Sequence, residues 1–148
     1  MGWIFESNRP IYTQLLEQIQ IRIVCGAYGP GDRLPPVREL AQEAAVNPNT
    51  MQKALSELER TGLIYAQRTA GRFVTDNADL IQNCRRQIAM EKIEAFLKSM
   101  QELGYGRKEV ETLMKEDGPW KEIVSEKKDV PVREDAAGGP AIWNEKEE

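Results

Sequence analysis

The stretch NPNTMQKALSELERTGLI, Asn47 to Ile64, leaves a chain few ways to fold. Asn47 can cap a helix through its side-chain oxygen, and Pro48 suits the first helical position, where its missing N–H costs nothing. Met51, Ala54, Leu55 and Leu58 then recur at i, i+3, i+4 and i+7, the stripe of a helix that buries one face. Gly62 supplies the stop. The other face is unusual. Asn49, Gln52, Lys53, Ser56 and Arg60 line up opposite the apolar stripe when each residue turns by about 100°. Amides, a hydroxyl and two cations make up that row, with Glu57 and Glu59 beside it.

The neighbouring pattern gives this helix a setting. A first helix is expected from about Pro10 to Cys25, with Tyr12, Leu16, Ile19 and Ile23 on one stripe and Gly26 as its terminator. Tyr28–Asp32, YGPGD, has the composition of a turn. RLPP follows as a short extended piece, because Leu34 precedes a proline. A second helix over Val37–Ala45 buries Val37, Leu40, Ala41 and Ala44. A tight turn around Val46 joins it to the third, giving a helix-turn-helix. After Gly62, Leu63–Asp76 reads as two extended runs around RTAG, with Ile64 and Ala66 inward and Arg68 and Arg72 on either side of the tip. Those elements in that order describe a winged helix-turn-helix.

Downstream, Ala78–Leu103 carries Ala89, Ile93, Phe96, Met100 and Leu103 at alternating four and three spacing. So narrow a stripe suits a helix–helix seam better than a broad core face. GYG (Gly104–Gly106) breaks it, and a short helix with Val110, Leu113 and Met114 ends before Pro119. The expected class is mainly α with a small β wing. Residues 1–76 are expected to form the winged helix-turn-helix domain and 77–127 a helical dimerisation region. The segment 128–148, charged and aperiodic, reads as a disordered acidic tail.

Composition narrows the function. The chain lacks histidine, the commonest general base and transition-metal ligand, and no carboxylate pair sits in an apolar setting. No enzyme, metal or cofactor is therefore expected. Its two cysteines, Cys25 and Cys84, fall in apolar periodic segments and are expected as core thiols. No apolar run approaches the ~20 residues of a membrane span, nor is there a signal-peptide pattern, so a cytoplasmic protein is expected. The net charge of −4 argues at first against nucleic acid. Residues 1–76, however, balance 8 Lys and Arg against 8 Asp and Glu, whereas 77–148 carry 12 against 16. All the excess acidity lies outside the segment that holds the polar helix face.

Over Gly31–Val74 the sequence resembles the DNA-binding domain of GntR-type transcription regulators, through LPPVRELA, VNPNT and the closing GRFV. With a short helical extension it is most similar to the small YtrA-like branch, and the likeness runs from Phe5 to about Glu116. The resemblance implies a homodimer that represses by binding a palindromic operator, often beside genes for an ABC transporter. It places DNA contacts on Arg38, Asn49, Thr50 and Gln52, and wing contacts on Arg68, Thr69 and Gly71. Two positions depart from the family's Arg-Gly-x-Gly-Thr wing: Thr69 replaces the first glycine, and Arg72 stands in place of the threonine.

The residue chemistry points the same way. Asn49 and Gln52 carry paired donors and acceptors that can read an adenine edge, and Thr50 can meet a phosphate or a thymine methyl. Pro48 leaves the helix start facing outward, where free N–H groups would suit a phosphate. Lys53 and Arg60 add phosphate contacts or simply solvate the face, and Arg72 is a further candidate DNA-binding residue at the wing. Dimerisation is expected through Ile93, Phe96, Met100 and Leu103. Residues 77–127 are too few for a large ligand-binding domain, so a small-molecule effector, of unknown identity, would bind a small pocket between the wing domain and the dimer helices or act through a partner, with Thr75–Asp79 as hinge. The competing reading is a winged helix used for protein–protein assembly, which would not require amides on the exposed face.

Overall fold

The first helix, α1 (Ile11–Val24), follows Pro10 and buries Leu15, Ile19 and Ile23. The computed structural model describes residues 2–116. Two polar residues, Gln14 and Arg22, are buried on the same side, while Tyr12 and Leu16 are only partly covered. The buried stripe is thus rotated from the expected one, because residues 2–9 lie along α1 and take its polar groups out of water. The Gln14 side chain accepts from the Glu6 N–H at 2.7 Å and donates to the carbonyls of Glu6 and Arg9, each at 2.9 Å. The Arg22 guanidinium lies 3.6 Å from the centre of the Trp3 ring and donates to the Gly2 carbonyl. A buried charge needs such partners. Cys25 departs from expectation: it caps α1 and is exposed, with its thiol donating to the Arg22 carbonyl, whereas Cys84 is half-buried against the core.

The second helix, α2 (Val37–Ala44), buries Leu40, Ala41 and Ala44 and stops one residue early, because Ala45 turns left-handed at φ 54°. Asn47 then caps α3 (Pro48–Thr61), its side chain accepting from the Asn49 N–H at 2.8 Å. Met51, Ala54, Leu55 and Leu58 have no exposed surface, and α3 packs on both α1 and α2. At Gly62 the chain leaves the helix with φ 82°, a conformation glycine takes without strain.

Two strands follow, β1 (Ile64–Gln67) and β2 (Gly71–Val74), antiparallel with Ile64 opposite Val74 and Gln67 opposite Gly71. Ile64 and Val74 close the core, but Ala66 is exposed. The hairpin runs out past the core, so alternation at its base does not continue to its tip. The RLPP segment is extended as expected. It lies along the free edge of β2, where Arg33 bridges to Phe73 and the Leu34 N–H donates to the Arg72 carbonyl at 2.8 Å.

Asn77 caps the long helix α4 (Ala78–Glu102) through a bond from the Leu80 N–H to its side-chain oxygen. The chain divides into two compact units after Arg85, inside α4. Leu80, Ile81 and Cys84 pack in the core of the first. In the second, α4 ends at a GYG turn with Gly104 at φ 89°, and α5 (Arg107–Lys115) buries Val110. Among the described residues no helix is long and apolar enough to cross a membrane. The expected tail, 128–148, and residues 117–127 of the expected dimerisation region lie outside the described residues.

Candidate nucleic-acid interface

The inner face of α3 is locked in the core, so the orientation of its outer face is fixed by the same four side chains. Gln52, Lys53, Ser56 and Arg60 are exposed there, with Asn49 at the start and Thr50 half-buried. The Gln52 amide donates to the Ser56 hydroxyl at 3.3 Å. Arg60 and Glu57 pair at 2.5 Å. Hydrogen bonding to Arg60 holds the Glu57 carboxyl below its usual range, and Glu57 in turn raises the pKa of Arg60. Together with Tyr12 of α1, residues 50, 52, 53, 56, 57 and 60 line a shallow cleft of about 690 Å³. Tyr12, expected on the core stripe, packs against the core while half-buried, and its remaining surface lines this face.

One expected feature is absent. The start of α3 holds no free N–H for a phosphate at its first positions. Asn47 takes the Asn49 N–H with its side chain, and the Thr50 N–H donates to the Asn47 carbonyl at 3.0 Å. The cap that makes the helix start legible is what occupies its donors.

Arg38 stands exposed in the first turn of α2. Across the wing, Arg68 and Thr69 are exposed at the tip, in a turn closed by the Ala70 N–H donating to the Gln67 carbonyl. Thr69 adopts φ 68°, where a β-branched residue is strained. Arg72 is not free at the tip. Its guanidinium is bound to Glu59 of α3, and both side chains are less than one-third exposed. Arg33, which sequence reasoning passed over, lies against the tip instead. A Cβ added at Gly71 would come within 3.1 Å of its Nε. Nothing local in the sequence marks this contact, since it depends on pairing between segments about forty residues apart.

Of the expected dimerisation residues, Ile93, Phe96 and Leu103 are 49%, 45% and 71% exposed, and Met100 is half-buried. Ile93 and Leu97 face a groove of about 770 Å³ that Val110 and Tyr105 also line.

Comparison with known proteins agrees with this arrangement. Residues 11–74 match the model of the bacterial regulatory proteins of the gntR family. The HTH-type transcriptional regulator YhcF of Bacillus subtilis is 41% identical over 106 residues, covering 72% of this chain and 88% of that protein. The HTH-type transcriptional repressor YtrA of the same organism is 46% identical over 72 residues, which is 49% of this chain and 55% of that one. Among solved structures, a GntR family transcriptional regulator from Listeria monocytogenes superposes with a TM-score of 0.70 at 38% identity. That match spans 75% of this chain and 97% of the Listeria chain.

Proposed function

This chain belongs to the GntR family of bacterial regulatory proteins and is a DNA-binding transcription regulator, not an enzyme, and on that premise we propose that it is a homodimeric repressor of the YtrA type. In this reading α3 lies in the major groove of a palindromic operator. Asn49 and Gln52 read base edges, Thr50 meets a phosphate or a thymine methyl, and Arg38 and Lys53 hold phosphates. Arg68, Thr69 and Gly71 bring the wing to the adjacent backbone. The observation that carries the reading is the outer face of α3, whose amides and cation stand exposed above an inner face with no accessible surface.

Repression is supported by the likeness to YtrA, itself a transcriptional repressor. Dimerisation falls to residues 77–127, through Ile93, Phe96, Met100 and Leu103, supported by the unusual exposure of large apolar side chains there. Two heads so joined would meet half-sites about 34–36 Å apart, or a multiple of that. The site of action is the cytoplasm, and an ABC-transporter operon is the first target to examine. A salt-titrated gel shift over genomic fragments tests the reading. Selective retardation of a palindrome-bearing promoter fragment is expected. Uniform weak retardation of all fragments would instead favour a winged helix used for assembly.

A further inference from the structure

The cations around α3 and the wing are not equivalent. Arg60 is paired with Glu57 and Arg72 with Glu59. A guanidinium already held by a carboxylate has little to gain from a phosphate, because it must first give up its partner. Arg33 shows no such pairing among the described residues, is exposed, and bridges the free edge of β2 at Phe73. Its guanidinium atoms lie 3.1–3.7 Å from where a Cβ of Gly71 would sit. That places its charge beside Gly71, the first residue of β2 after the tip turn that carries Arg68. Gly71, at φ 107°, leaves the room that any larger residue would take.

We infer that Arg33, rather than Arg72, is the second cation the wing offers to a DNA phosphate, and that Arg72 is a positioning residue whose bond to Glu59 braces the wing against α3. The inference rests on the DNA-binding reading above and names which side chains carry it out. Arg33 comes from the segment before α2, so the wing's charge is assembled from two stretches of chain. The brace gives Arg72 a use that needs no contact with the nucleic acid.

Salt dependence separates the two roles, because each phosphate neutralised adds about 0.9 to the slope of log K against log salt. The full chain is titrated with a labelled random-sequence duplex, so no operator need be known. Arg33→Met keeps the stem and removes the charge. It is expected to flatten the slope by about 0.9, which amounts to a roughly threefold smaller loss of binding between 50 and 200 mM salt. Arg33→Lys should restore the slope. Arg72→Gln should weaken binding at every salt concentration with the slope unchanged. A parent chain without salt-dependent binding would defeat the DNA reading and this inference with it. A parent that binds, with Arg33→Met keeping its slope or Arg72→Gln flattening it, overturns this inference alone. Thermal melts of each variant confirm that a folded protein is being compared.

Discussion

The unit ending at Arg85 and the helices that follow it solve the burial problem differently. The first closes its own core: Leu15, Met51, Ala54, Leu55, Leu58 and Val74 are without exposed surface, and Leu80 and Ile81 of α4 complete the same cluster. The second buries Val110 and leaves Met90, Ile93, Phe96, Leu103, Leu113 and Met114 each more than 40% exposed. A domain that finishes its core can hold one face rigid for recognition. Among the described residues, so much apolar surface on two helices is of the kind that marks an interaction surface. In the proposed reading the contrast is that of a reading head and a joining element.

The largest expected effect falls on the closed core. Leu55→Ala should lower the unfolding free energy by about 2–5 kcal/mol, seen in a urea melt. Phe96→Ala, at an exposed site, should leave the unfolding of the first unit within about 0.5 kcal/mol of the parent while shifting the sedimenting species toward monomer. Equal losses from both substitutions would erase the contrast.

Next comes a truncation after Arg85, which keeps Leu80 and Ile81 in their core. A folded monomer is expected, with operator affinity lower by roughly 100-fold or more because the two heads are no longer linked. A fragment that sediments as a dimer would move the joining element into the first unit.

Smaller effects test how the head is held. Asn47→Ala removes the cap of α3 and should cost about 1 kcal/mol by thermal melting. Thr69→Gly relieves the left-handed turn at the wing tip and should gain about 0.5–1 kcal/mol, the strain relieved less the added freedom of the unfolded chain. A loss of stability there would mean that the turn does not strain Thr69.

The parts that were legible in the sequence are those set by local chemistry. Asn47, Pro48 and Gly62 mark both ends of α3, and its stripe appears where the spacing put it. The wing's two strands appear where two extended runs flank RTAG. What escaped depends on distant chain. Gln14 and Arg22 could not be read as buried without the N-terminal arm that covers them. Nor did the pattern show that Tyr12, packed against the core, also lines the cleft beside α3. The same holds for Arg33 beneath the wing tip and for Arg72, which pattern alone set free and Glu59 takes. Charge at a hairpin tip is visible in sequence; what already occupies that charge is not.

The central claim, that the outer face of α3 reads base edges, meets its most direct test at Gln52. Parent and Gln52→Ala are titrated against an operator and a panel of single-base-pair variants of it. The account predicts that discrimination is lost at one or two adjacent positions, by about 1–3 kcal/mol, while preferences elsewhere persist. A Gln52→Ala protein whose preferences match the parent's at every position would contradict it.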